Sequence, residues 1–429
     1  MISDVLVIGS GISGTSAAYY LNKLGYNVSL FESDSYFGGH TNTIDVEVDG
    51  LRISVDTGFL VHNDRTYPNL IDFFNELKIE TYPSDMSFSV MRKTDDITWA
   101  GTNLLTVFAQ AKNLYSMRFY KFLKEVLRFN KNSRNYLYEC GGKPEITLED
   151  ILTEKRYSED FKKWYLLPIG GCIWSSPTNE MLKFPAYSFL RFCLNHGLLQ
   201  IFNRPQWKTV LNGCKTYTDK ALNEIDKKFL NEPVLEVISE NNKVKLITDQ
   251  RIENFDYCVM CSHPPETLEM LKSVDFETKD LLSKFKFQKN EAVLHLDESV
   301  LPEKKIAWAS WNYLSTKSID GNDSVSVSYL INKLQPLPFK KSVIVTLNPV
   351  SNIDNKKIIK KISYQHPIFF SETILAQDKF KKIQGRKGIY FSGAWMRNGF
   401  HEDGILSTKK IINLLLGNES KNRNLIEVL

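Results

Sequence analysis

The sequence predicts an α/β chain in which a Rossmann-like nucleotide-binding domain is interleaved with an α+β domain. Three observations carry this. The chain opens on a strand, a glycine turn and a helix, followed by a second strand that ends in an acid. It closes on another strand, small-residue turn and helix. Between these ends, apolar runs of strand length alternate with stretches of helical periodicity, and 42% hydrophobic residues in 429 supply more apolar side chains than one compact unit needs.

The opening strand is Val5-Leu6-Val7-Ile8, the turn is Gly9-Ser10-Gly11-Ile12-Ser13-Gly14, and the helix runs through Ala17, Ala18, Tyr20, Leu21 and Leu24 to a stop at Gly25. Gly9 allows the tight turn, Gly11 admits backbone N–H groups to a pyrophosphate, and Gly14 lets helix and strand pack closely. Ile12 and Ser13 then lie at the positive helix end that faces the phosphates. A second strand, Val28-Ser29-Leu30-Phe31, delivers Glu32 18 residues beyond Gly14, where its carboxylate accepts from a ribose diol, with Ser33 beside it. Strand, glycines, helix, strand and acid in register predict a dinucleotide with an unphosphorylated adenosine ribose.

Six residues beyond Glu32 comes Gly38-Gly39-His40-Thr41-Asn42-Thr43, a second glycine turn on the same side of the sheet, which suits a dinucleotide longer than NAD. This arrangement resembles the flavin-containing amine oxidase superfamily, whose members follow the ribose acid with a Gly-Gly-Arg-type loop along the pyrophosphate and ribityl chain. The resemblance implies FAD as cofactor, with Gly38, Gly39, His40 and Thr41 against it. His40 stands where the family has Arg, so an imidazole donor replaces a fixed charge. Val55-Asp56-Thr57-Gly58-Phe59 is similar to the family's Asp-x-Gly turn beneath the flavin, which implies Thr57, Gly58 and Phe59 as contacts. Likewise Val234, in the predicted hairpin Val234 to Val237 and Lys243 to Ile247, is implied at the adenine.

Near the C terminus, Gly388-Ile389-Tyr390-Phe391-Ser392-Gly393-Ala394-Trp395 reads as a strand and turn. It precedes Gly399-Phe400-His401-Glu402-Asp403-Gly404-Ile405-Leu406-Ser407 and a helix from Thr408 to Leu416. Gly393 and Ala394 are expected at the pyrophosphate. A helix starting near Gly404 and Ile405 would aim its N–H groups at the flavin's N1–C2=O edge. His401 and Glu402, between turn and helix, are the candidate catalytic bases, and His62 and His295 are further possibilities.

Stretches outside this frame resemble a narrower group, bacterial amine-oxidase-like FAD proteins associated with cyclopropane-fatty-acid-synthase-type methyltransferases. They are Pro168 to Ser176, Arg204 to Val210, Ala307 to Tyr313 and Asn398 to Gly404. The resemblance implies oxidation or desaturation of a methylated fatty acyl chain of a membrane phospholipid by hydride transfer to flavin N5, and a lipid methyltransferase as partner. The other functions held open are a soluble amine oxidase acting on a small molecule and a non-catalytic flavoprotein subunit. Trp174, Trp207, Trp308, Trp311, Tyr313 and Trp395 are candidates to line an apolar tunnel.

The net charge of +4 gives no argument for nucleic acid, but its distribution is uneven. Residues 104 to 134 hold seven cations, Lys112, Arg118, Lys121, Lys124, Arg128, Lys131 and Arg134, against one acid, Glu125. Leu104, Phe108, Ala111, Tyr115, Phe122 and Val126 are expected near one face of one or two helices there. Such a segment suits peripheral contact with an anionic bilayer. Six scattered cysteines and no leader pattern predict a cytoplasmic chain with free thiols, peripheral on the inner face of the membrane, and no segment reads as a bilayer span. Cys258-x-x-Cys261 lies in a predicted buried strand, the wrong setting for a redox pair, and no Cys/His spacing suggests a metal. Neither a Gly-x-Ser-x-Gly elbow nor a cysteine nucleophile is present.

The expected FAD-binding domain comprises residues 1–75, 205–262 and 370–416, and the substrate domain 76–204 and 263–369. Ala292 to Leu296 and Val343 to Leu347 are expected in a second sheet, residues 104–200 as mostly helical, and 417–429 as a loosely ordered tail.

Overall fold

The computed structural model describes residues 2–174, 178–200, 203–272, 274–317 and 323–423. Ser175 and Ser176 and the end of the expected tail lie outside them. A five-stranded parallel sheet forms from four distant parts of the chain, in the order Lys227–Phe229, Asn27–Phe31, Asp4–Ile8, Tyr257–Met260 and Ile389–Phe391. Its apolar strands are buried on both faces, as a parallel sheet requires. The helices Ile12–Lys23 and His401–Arg423 pack against one another beside it. Small residues make that crossing close: a Cβ on Gly404 would lie 2.7 Å from Ile12 Cγ2, and Thr408 Oγ1 donates to the Ser13 carbonyl at 3.0 Å.

The second sheet has seven strands, in the order Ile358–Ile368, Lys286–His295, Ile344–Leu347, Asp323–Leu330, Trp311–Lys317, Phe88–Arg92 and Ile97–Ala100. Its pairs are antiparallel except Trp311–Lys317 with Phe88–Arg92. The two apolar runs expected in a second sheet are direct neighbours here, with Ala292 opposite Leu347. A helical layer covers this region. Its longest member, Met117–Cys140, buries Phe119, Phe122, Phe129, Tyr136 and Cys140, and packs on the helix Ala186–Asn195. Each phenylalanine so buried contributes about 1.5–3 kcal/mol.

Several expectations need correction. Residues 104 to 134 do not share one apolar face. They form a short helix Leu104–Val107, a 3₁₀ turn Ala111–Tyr115 and the start of Met117–Cys140, with Leu104 and Tyr115 exposed and Phe122 buried. The hairpin begins at Glu236, so Val234 lies in the loop before it. The last helix begins at His401, not near Gly404 or Thr408, and runs past 417 to Arg423. The expected break at residue 75 is not clean, because Thr81–Ser84 pairs with Trp207–Val210.

Candidate active site

A cavity of about 620 Å³ runs between the C-terminal ends of the parallel strands and the seven-stranded sheet, the position where open α/β sheets receive ligands. At one end lie the two glycine turns. Gly9 takes a left-handed φ of +90°, and a Cβ on Gly14 would sit 1.7 Å from the Gly9 carbonyl oxygen, so helix and turn touch as the spacing predicts. A Cβ on Gly11 would meet nothing within 4 Å. Gly11 is also the N-cap of Ile12–Lys23, with no side chain capping the helix, so its first N–H groups face the cavity ready for an anion.

Glu32 lines the same end. One carboxylate oxygen accepts from the Ser10 N–H at 2.8 Å and from Ser10 Oγ at 2.6 Å, and the other from the Asp34 N–H at 2.9 Å. These bonds fix the carboxylate at the cavity edge beside Ser33. The second turn abuts the first: a Cβ on Gly39 would lie 3.1 Å from Gly11 Cα, and the Gly38 N–H donates to Ser10 Oγ at 3.1 Å. In turn, the Thr57 to Phe59 turn docks on that loop, with the Phe59 N–H donating to the His40 carbonyl at 2.8 Å. Asp56, just before it, is fully buried and accepts from Thr43 Oγ1, the Cys214 N–H and Gln335 Nε2, which joins three segments; burial raises its pKa to about 6.

Of the expected cofactor contacts, Gly9, Gly11, Ile12, Ser13, Glu32, Ser33, Gly39, His40, Thr57, Gly58, Phe59, Val234 and Ala394 line the cavity. Six others stand behind its wall. Gly14 and Gly38 shape the turns, and Gly404 and the buried Ile405 belong to the helix packing. The Gly404 N–H donates to the Phe400 carbonyl at 3.1 Å and is not free to reach a ligand. Gly393 donates its N–H to Ser407 Oγ at 3.0 Å, and a Cβ there would strike the Trp395 indole, so its smallness serves packing. The Thr41 hydroxyl bonds with Tyr217 and His401.

The two catalytic candidates separate. His401 lines the cavity, its ring stacked on Phe59 at 3.7 Å and its Nε2 shared between Tyr217 Oη at 2.9 Å and Thr41 Oγ1 at 3.1 Å. Burial lowers its pKa to about 3, which keeps it neutral and makes it a weak proton acceptor near pH 7. Glu402 does not line the cavity. Its carboxylate accepts from the Asn69 N–H and Nδ2 at 3.2 and 2.6 Å and from the Leu70 N–H at 3.0 Å, so it caps the helix Pro68–Glu76 from outside. His62 packs on Phe74, and His295 bonds to Thr346 and the Asp297 N–H within its sheet; neither lines the cavity. Trp308 and Tyr313 are packed elsewhere too, whereas Trp174, Trp207, Trp311 and Trp395 line it.

Sequence reasoning missed a group of imidazoles in the cavity wall. His40 stacks on Tyr364 at 4.8 Å and meets His366 edge-on at 5.0 Å, and His263 lines the same region. Asn290 Oδ1 accepts from Asn348 Nδ2, which leaves Asn290 Nδ2 to donate to His366 Nδ1 at 2.6 Å. His366 therefore carries its hydrogen on Nε2. Burial brings its pKa to about 4 and that of His40 well below the usual range. His40 Nε2 is buried without a partner, a polar atom left for a ligand. The available signal was the count: four of the chain's seven histidines line this cavity.

Beyond the imidazoles the wall is largely apolar, with Met86, Trp174, Phe192, Trp207, Trp311 and Phe400, and Tyr67, Tyr329 and Asn398 add polar atoms. All lining acids, Glu32, Asp34, Glu232, Glu266 and Glu269, follow strands of the parallel sheet and stand at the dinucleotide end. No lysine or arginine lines the cavity among the described residues.

Residues 7–77 match the model of the NAD(P)-binding Rossmann-like domain. The probable flavin-containing monoamine oxidase A of Dictyostelium discoideum is 23% identical over 291 residues, 61% of this chain and 57% of that protein. The 1-hydroxycarotenoid 3,4-desaturase of Flavobacterium sp. (strain P99-3) is 40% identical over 76 residues, 18% of this chain and 14% of that one. The chain thus spans less than two thirds of these curated relatives. Cyclohexylamine oxidase from Brevibacterium oxydans IH-35A superposes with a TM-score of 0.71 over 98% of this chain and 100% of that one, at 15% identity. The fold is that of the flavin-containing amine oxidases. A CLA-producing fatty acid isomerase from P. acnes shares this amine oxidase fold, with a TM-score of 0.68 at 14% identity over 96% of this chain and 98% of that one. With two touching glycine turns, an uncapped helix end and the Glu32 carboxylate beside them, the residues present fit a flavin dinucleotide.

Proposed function

We propose that this chain is an FAD-dependent oxidoreductase that removes hydrogen from an apolar substrate, the acyl chain of a membrane phospholipid. The observation that carries the reading is the division of the cavity. Its acids follow the strands of the parallel sheet at the dinucleotide end, and the wall built from Met86, Trp174, Phe192, Trp207, Trp311 and Phe400, with Cys172, Tyr67 and Tyr329 among them, holds no carboxylate, lysine or arginine among the described residues. A cationic amine would have no carboxylate to meet there, and its desolvation would go uncompensated. A hydrocarbon chain meets a matching surface, gaining about 0.8 kcal/mol per buried CH₂.

Bound FAD supplies a two-electron acceptor for a hydride. The protein does the positioning: Trp174, Trp207 and Trp311 hold a featureless chain and exclude water, Phe59 and the neutral His401 form a stacked wall, and Gly11 and the helix behind it take the phosphates. The desaturase and the fatty acid isomerase among the similar proteins act, by their names, on apolar molecules, which supports the reading. A methylated chain, with a lipid methyltransferase as its source, is the finer form of the same proposal.

The test is anaerobic mixing of the flavin-loaded protein with phospholipids carrying methylated or unmethylated chains and, separately, with primary amines. Loss of the oxidised flavin absorbance with lipid and not with amine is expected. Bleaching by amines alone would replace this reading with that of a soluble amine oxidase, and bleaching by unmethylated chains alone would remove the methyl requirement.

A further inference from the structure

The outward face of the helix Met117–Cys140 differs from an ordinary solvated face. At about 3.6 residues per turn, Met117, Tyr120, Lys121, Lys124, Leu127, Lys131, Arg134 and Tyr138 fall within an arc of about 140°. All eight are exposed, while Phe119, Phe122, Phe129 and Tyr136 face the core. Four large apolar side chains are therefore interleaved with four cations. Just before this helix, Leu104, Leu105 and Tyr115 are 78%, 73% and 89% exposed, and the short helix that carries the two leucines packs beside Lys305–Ala307, which adds exposed Ile306.

The structure also sorts the seven cations. Lys112 pairs with Asp96 and Arg118 with Asp160, and Arg128 lies over the Tyr157 ring at 3.9 Å. Lys121, Lys124, Lys131 and Arg134 make no ion pair with the described residues, Glu125, the one acid of residues 104 to 134, is buried against Ser158, and Glu139, the exposed acid at the end of the same arc, is paired with Lys155 at 2.6 Å. The free charge is thus concentrated on the same arc as the exposed tyrosines, methionine and leucine.

We infer that this face docks on an anionic phospholipid surface, with Met117, Leu127, Tyr120 and Tyr138 entering the interface and the four cations meeting lipid phosphates. Lysine and arginine stems lie along apolar surface while their charges reach the headgroups, and tyrosine suits the boundary between the two. A protein partner fits less well, because lysine is depleted from the cores of protein interfaces. Beneath this helix lies Ala186–Asn195, whose Phe192 lines the apolar end of the cavity, so the docking face stands one helical layer from the expected lipid chain. The surface is outside the FAD cleft and does not depend on the reaction assigned to it.

The experiment is co-sedimentation of the full-length, flavin-loaded protein with phosphatidylcholine vesicles made with and without phosphatidylglycerol, across a salt series. Binding only to the anionic vesicles, weakened by salt, is expected. Each cation near such a surface is worth about fivefold in partitioning, so Lys121→Gln, Lys124→Gln, Lys131→Gln and Arg134→Gln together should weaken it by at least about a hundredfold. Flavin content should be unchanged. Should the fourfold variant fold poorly, Met117→Ser with Leu127→Ser gives a second reading, again as lost partitioning. Equal binding to neutral vesicles, no binding, or binding insensitive to salt would overturn the inference, as would sedimentation velocity showing that this face joins two copies of the chain. Vesicle binding without flavin reduction would refute the reaction and leave the surface standing.

Discussion

A methyl group added at Gly14 would meet the Gly9 carbonyl oxygen at 1.7 Å, whereas one added at Gly11 would meet nothing within 4 Å. The two glycines therefore predict different failures. Gly14→Ala should destabilise the fold by about 1–3 kcal/mol and lose flavin, while Gly11→Ala should lose flavin with the melting temperature of the flavin-free chain unchanged. Flavin-to-protein ratio and thermal unfolding separate them. Histidine burial predicts a pH dependence. His401 has its pKa lowered to about 3, and His366, His62, His196 and His295 to about 4, from 6.5. Below pH 6.5 the unfolded chain binds protons that the folded chain refuses, so stability present above 6.5 is lost as pH falls toward 4, by about 1.4 kcal/mol per unit for each histidine. Asp56 and Asp403, both raised to about 6 by burial, act in the opposite sense between 3.8 and 6 and offset only part of this. Melting temperatures between pH 7 and 4 should fall, and His295→Gln should flatten the slope. At this scale the glycines and Glu32 were legible in the sequence, because a turn of a few residues dictates its own backbone. His366 was not, because nothing near it in the chain marks it as the neighbour of His40.

Helix ends show the same division between elements. The helix Ile12–Lys23 was legible from its glycine turn and stop, but the helix Pro68–Glu76 is capped by Glu402, more than 300 residues away. Placed between a turn and a helix, Glu402 read as a candidate base, and only the packing of the last helix beside Pro68–Glu76 shows that its carboxylate is already committed. Glu402→Ala should cost about 1–2 kcal/mol of stability, as the loss of a cap does, and leave the rate of flavin reduction per bound flavin unchanged. A rate loss of a hundredfold or more at equal flavin content would return it to catalysis. The extended strand Ile358–Ile368 sets Tyr364 and His366, two residues apart, on the face that meets His40.

Across the whole molecule, function depends on two sheets that meet over one cavity. Met86 lines its apolar end and is only partly buried, so Met86→Glu should leave the fold and flavin content intact while raising the KM for an acyl substrate at least tenfold, read by titrating flavin bleaching against lipid. The sequence by itself determined the parallel nucleotide unit at the first strand and helix, the acid that follows the second strand, the second glycine turn and the concentration of cations in residues 104 to 134. Each of these is set by backbone preference or composition over a few dozen residues. Tertiary structure alone decided that four imidazoles converge, that Glu402 caps a helix, that the acids stand apart from the apolar end, and that four of seven cations remain unpaired on one exposed face. Those facts rest on contacts between side chains of different elements, from 16 residues apart for Lys112 and Asp96 to 333 for Glu402 and Asn69, and such contacts arise from the packing of whole elements and leave no periodic mark on the chain.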